Sequence, residues 1–160
     1  MFYHSGGNKL FYTTLGKGPS VVLLHPTPVH HRFWLPVAEM LAPRYQVIIP
    51  DLRGHGQSES GEGPITMEKL AADAVRLLDS LELSTAIFAG CSIGGYTLYE
   101  LWRTAPERMR AFAFCCSRPQ ADNEAAQLAA WSMDAFDRAR AEIEGRYPSV
   151  QDLWKGLAEQ

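Results

Sequence analysis

Ala86-Ile87-Phe88-Ala89-Gly90-Cys91-Ser92-Ile93-Gly94-Gly95-Tyr96 is the stretch on which the fold turns. Its first four residues read as a short strand buried on both faces. Residues from about Tyr96 to Thr104 read as a helix, and Gly90 to Gly95 as the sharp turn between them. The G-x-S-x-G spacing has a steric reason. A serine oxygen that projects above a sheet must stand on a tight strand-to-helix turn, where side chains two residues to either side would collide. The following helix would aim free N–H groups at developing negative charge. Ser92 is therefore a candidate nucleophile, and Gly90 and Gly94 the glycines its turn requires. Neither G-x-x-x-x-G-K-[ST] nor G-x-G-x-x-G occurs, which argues against a phosphate-binding loop.

Working outward, the same alternation continues. Val21 to Leu24 is a short apolar strand, and Leu35 to Ala42 a helix with Pro36 in its first turn. Tyr45 to Ile49 is a second buried strand, closed by Pro50. Thr66 can cap a helix whose apolar positions, Met67, Leu70, Ala71, Ala74, Val75, Leu78 and Leu81, share one face. Ala111 to Cys116 is a further strand. Strand and helix in turn predict an α/β fold with a mostly parallel sheet covered on both faces. Upstream, Phe2-Tyr3 and Leu10 to Leu15 read as two early strands parted by the turn Gly6-Gly7-Asn8. Downstream, Asn123 to about Glu144 and the segment after Ser149 carry helical spacing.

With 46% hydrophobic and 21% charged residues, 160 residues suffice for one domain with a real core. A net charge of −3 gives no electrostatic footprint for nucleic acid, and no basic run suggests a membrane surface. The start of the chain lacks the pattern of a secretory signal, so a cytoplasmic protein is expected. Cys91, Cys115 and Cys116 lack disulfide or zinc spacing and are expected as buried free thiols.

Two more motifs join the first. His25-Pro26-Thr27-Pro28 follows the strand ending at Leu24, and Asp51-Leu52-Arg53-Gly54-His55-Gly56-Gln57-Ser58 follows the strand ending at Ile49. With Gly90 to Gly95, these segments resemble the α/β-hydrolase superfamily, in its esterase, lactonase and aminopeptidase-like branch with a serine nucleophile. The resemblance spans about the first 120 residues, and D-x-R-G-x-G-x-S is its most specific part. It implies that residues 1–120 are the N-terminal part of the hydrolase core and 121–160 a helical cap-like segment.

The resemblance also assigns roles. Ser92 matches the nucleophile, and the Ile93 N–H one donor of the oxyanion hole. The second donor comes from the loop after Leu24. Pro26 stands where relatives have glycine, and neither Pro26 nor Pro28 has an N–H, so Thr27 is the expected donor. Asp51, Arg53 and His55 are expected as scaffold. His30 and His31 are expected to line a pocket or a solvated loop, Phe33 and Trp34 to pack in the core, and no metal or cofactor is expected.

In this fold the acid and then the histidine base follow the serine. All five histidines, His4, His25, His30, His31 and His55, precede Ser92. The expectation is a chain incomplete at its C-terminal side, with Asp122 near a place where some relatives put an acid. The strand at Ala111 would then present an apolar edge, which a second copy could cover. Two functions follow: serine-dependent hydrolysis of a small-molecule ester, lactone or related acyl compound through an acyl-enzyme at Ser92, or a catalytically incomplete fragment or binding scaffold.

Overall fold

The computed structural model describes residues 1–117. Expectations for Asp122 and for residues 121–160 lie outside the described residues. The elements are β1 (Phe2–Ser5), β2 (Asn8–Leu15), β3 (Ser20–Leu24), α1 (Leu35–Leu41), β4 (Gln46–Pro50), α2 (Met67–Ser80), β5 (Ala86–Cys91), α3 (Ile93–Thr104) and β6 (Met109–Cys115). Short 3-10 turns occupy His31–Trp34 and Pro106–Arg108.

Among the described residues the strands form one sheet in the order β1-β2-β4-β3-β5-β6. β3, β4, β5 and β6 run parallel, and β1 and β2 add antiparallel. The β1–β2 hairpin closes through Gly6 (φ 56°) and Gly7 (φ 80°), where two consecutive positive φ values suit glycine. Val21 pairs with both Val47 and Ile87. Phe112 pairs with Phe88, one residue beyond Ile87, whose own partner is Ala111.

Beyond their first residues the central strands are apolar because both of their faces are covered. One core gathers Val22, Leu24, Ile48 and Phe88 against Leu70, Leu77, Leu78, Leu98 and Leu101 from α2 and α3. The other packs Val21, Leu23, Val47 and Ile49 against Trp34 and Ala38. Burying each large aliphatic side chain contributes about 2 kcal/mol. Thr66 caps α2 by accepting the Lys69 N–H at 3.4 Å. One buried position of α2 is charged: Asp73 is 4% exposed. Arg53 meets it with two hydrogen bonds, at 2.6 and 2.9 Å.

Several local expectations are corrected. α3 starts at Ile93, directly after Ser92, so the turn is tighter than the run of glycines suggests. β4 ends at Pro50, as expected, and the proline is its last paired residue, opposite Tyr12. Phe33 is 38% exposed, whereas Trp34 is buried. Only Cys91 of the three free thiols is buried, and Cys116 is exposed. Among the described residues β6 is outermost, with Phe112 45% exposed.

Candidate active site

Parallel strands deliver their following loops to one edge of the sheet, and there the three motifs meet. His25-Pro26-Thr27-Pro28 leaves β3, Asp51 to Ser58 leaves β4, and Ser92 leaves β5. β4, β3 and β5 are neighbours in the sheet.

Ser92 has φ 51° and ψ −116°. A serine with that backbone lies outside the wells that L-residues favour, so packing must hold it there. The packing is visible at both flanking glycines. A Cβ on Gly90 would strike the Gly94 carbonyl and come within 2.7 Å of the Gly95 nitrogen. A Cβ on Gly94 would strike the Leu24 carbonyl oxygen and lie 2.7 Å from the Leu24 carbonyl carbon. The first turn of α3 therefore sits directly on the end of β3, where the His25 loop begins. The Ser92 N–H donates to the Cys115 carbonyl at 3.0 Å, and the Ser92 carbonyl accepts the Tyr96 N–H at 3.0 Å. As the first residue of α3, Ile93 has an N–H with no intrahelical acceptor.

The thiol beside this turn is poorly ionised. Burial, reinforced by the nearby Cys116 and Cys115 sulfurs, pushes the Cys91 thiol up to about 11. It is a packing group rather than a competing nucleophile at neutral pH.

The His25 loop is fixed by its imidazole. His25 is fully buried. Its Nε2 accepts the Leu52 N–H at 2.9 Å, and its Nδ1 donates to the Pro26 carbonyl at 2.9 Å. Burial lowers its pKa from 6.5 to about 4, so the ring is neutral in the folded chain at ordinary pH. With both nitrogens engaged, it is a brace between two loops and is not available as a base. Farther along, Thr27 Oγ1 lies 3.1 Å from His55 Nε2.

Asp51 organises the second loop. Its Oδ1 accepts from the His31 N–H at 2.7 Å and from His31 Nδ1 at 2.8 Å, and its Oδ2 accepts the Gln57 N–H at 2.9 Å. A Cβ on Gly56 would collide with that carboxylate, which explains glycine there. Ser58 Oγ donates to the Asp51 carbonyl at 2.7 Å and accepts the Phe11 N–H at 2.9 Å, tying the loop to β2.

The fold also brings together a group that spacing does not reveal. Ligand-type atoms of His30, His31 and Asp51 all lie within 4.8 Å of one another. His30 and His31 are adjacent in sequence, but Asp51 comes from the loop after β4. His30 Nδ1 is buried without a hydrogen-bond partner among the described residues. Asp51 already receives three donors, so the cluster works in this structure as a loop clasp.

No histidine hydrogen-bonds Ser92 Oγ among the described residues. What the edge offers is a serine on a constrained turn, the free N–H of Ile93, and a neighbouring loop with one N–H between two prolines.

Known proteins share this frame. The family model described as alpha/beta hydrolase fold matches residues 19–146. A provisionally named carbamate hydrolase of Azorhizobium caulinodans is 36% identical over 121 residues, covering 76% of this chain and 46% of its own length. A 3-oxoadipate enol-lactonase of Acinetobacter baylyi is 33% identical over 126 residues, covering 79% of this chain and 43% of its own. Among solved structures, the enol-lactonase of Burkholderia xenovorans LB400 superimposes with a TM-score of 0.81 at 26% identity, over 98% of this chain and 66% of that one. The chain thus spans less than half the length of these two curated relatives. With sheet order, motif placement and family model in agreement, the chain belongs to the α/β-hydrolase family.

Proposed function

We propose that this chain carries the nucleophile and oxyanion hole of a serine hydrolase acting on a small ester, lactone or related acyl compound. Ser92 Oγ attacks the substrate carbonyl carbon, and the carbonyl electron pair moves onto oxygen. The N–H groups of Ile93 and Thr27 receive that oxyanion. Collapse expels the alkoxide, which takes up a proton, and leaves an acyl group on Ser92. Water then releases the acid.

The serine proton needs a base. His25 is spent as a brace, and every histidine precedes Ser92. The base in this reading is a histidine on polypeptide beyond this sequence or on a second copy. The observation that carries the reading is the positive φ of Ser92 between two glycines whose Cβ positions are filled by backbone. The relatives' names, carbamate hydrolase and enol-lactonase, support acyl chemistry as the substrate class.

A fluorophosphonate tests it, since Ser92 Oγ would displace fluoride and add the phosphonyl group to the protein mass. In protein that includes the base, rapid labelling that disappears in Ser92→Ala is expected, with a loss on the order of 10³-fold or more. Undiminished labelling in the variant would reject Ser92. The lack of any hydrogen bond from a described histidine to Ser92 Oγ favours a second reading, a binding scaffold without turnover. Ligand retention in Ser92→Ala, with no labelling of the unmodified chain, would identify it.

A further inference from the structure

We propose that His55 is a positioning residue of the oxyanion hole, holding the Thr27 N–H in place through the Thr27 hydroxyl. The inference rests on the proposed role of the Thr27 N–H. It adds a residue that does not itself meet the substrate.

Hydrogen-bond direction fixes the arrangement. His55 Nδ1 lies 3.0 Å from the Arg53 carbonyl, which can only accept, so Nδ1 carries the proton. In the tautomer with the proton on Nδ1, Nε2 is bare and accepts from the Thr27 hydroxyl across 3.1 Å. The one proton of the hydroxyl is committed to this bond. Pro26 and Pro28 have no N–H, so the Thr27 amide is the one donor of that tripeptide. Among the described residues no protein acceptor takes it.

The support behind His55 is rigid. Its N–H donates to the Leu52 carbonyl at 2.9 Å, and its carbonyl accepts the Ser58 N–H at 2.9 Å. Arg53, whose carbonyl orients the ring, is anchored on Asp73 of α2. The His25 ring packs edge-on against the His55 ring at 5.2 Å. Thr27 is thereby tied to the second loop, while His25 independently ties the base of its own loop to Leu52. A donor aimed at a developing oxyanion gains from such fixing, because misplacement by about 1 Å can remove most of its effect.

Fluorophosphonate labelling of the full chain tests this, because the phosphonyl oxygen occupies the oxyanion position. Thr27→Val keeps shape and amide but loses the hydroxyl. It should slow the maximal labelling rate by about tenfold, with little change in the reagent concentration at half-maximal rate. Thr27→Ser should recover most of that loss. His55→Ala should slow labelling by a similar factor. The double variant should be no slower than either single one, since both remove one coupled interaction. Thr27→Val labelling at the wild-type rate, or losses that multiply in the double variant, would overturn the role of His55 while leaving Ser92 as nucleophile. Absent labelling in protein that includes the base, or labelling unaffected by Ser92→Ala, would overturn the proposed function and this inference together.

Discussion

Replacing Asp73 with alanine should unfold this domain far more readily than loss of a surface charge would. In the folded chain Arg53 Nε donates to Asp73 Oδ2 at 2.9 Å and Nη2 to Oδ1 at 2.6 Å, with each side chain only 6% exposed. Among the described residues the one other acceptor hydrogen-bonded to that guanidinium is the Ser5 carbonyl, at 3.4 Å from Nη2. Asp73→Ala therefore leaves a guanidinium out of water with a single long hydrogen bond. Arginine does not shed its proton, so the charge stays buried. Breaking one side of such a pair costs about 3–5 kcal/mol, a large part of the total stability of a domain this size. At about 3 °C per kcal/mol for this chain length, the midpoint of thermal unfolding should fall by roughly 10 °C. Tyr3 reports on the same site. Its hydroxyl is held far above its usual range by burial first and by the Asp73 charge second, with Arg53 acting in the opposite direction. Urea unfolding followed by circular dichroism gives the free energy, and Arg53→Met with Asp73→Leu supplies the control. The double variant removes both charges and should recover most of the loss. A single-variant loss below about 1 kcal/mol, the range of exposed pairs, would refute the reasoning. So would a double variant less stable than Asp73→Ala.

Two further outcomes follow from the same geometry. Gly94→Ala puts a methyl onto the Leu24 carbonyl group, which as backbone at the end of β3 yields little. Fluorophosphonate labelling at Ser92 should drop by on the order of 10²-fold, and labelling at the wild-type rate would show that the turn tolerates the shift. His25 is neutral when folded down to about pH 4 but takes up a proton near 6.5 when unfolded, so stability is complete above about 6.5 and is lost as pH falls through that window. Between pH 7 and pH 5 the urea-derived free energy should fall by ~2 kcal/mol, and the fall should shrink in His25→Gln; the same slope in both proteins would assign it to other groups.

What could be read in the sequence is what neighbouring residues decide together. Val21 to Leu24 and Ala86 to Ala89 announce buried strands because both faces of each are covered, and the one-sided spacing of α2 follows from packing a single face. The turn at Ser92 was legible for the same reason, since its constraint acts on residues two positions away. Helix propensity misled at Gly94 and Gly95: glycine is a poor helix former, yet α3 begins at Ile93 because any Cβ at position 94 would meet β3. Pro50 was legible as the end of its strand, since it takes the last paired position of β4, opposite Tyr12. The polar contacts were hidden for a different reason. Asp73 interrupts an apolar helix face, and only Arg53, twenty positions away, accounts for it. Thr27 and His55 stand twenty-eight apart, and Asp51 twenty from His31. None of these spacings reflects a helical or strand period, because each pair joins loops brought together by the order of strands. Sheet order must be known before such pairs can be read, and sheet order is a property of the assembled core. The local motifs thus identified the candidate nucleophile, while the residues that would hold its oxyanion donor in place became visible only once β4, β3 and β5 were set side by side.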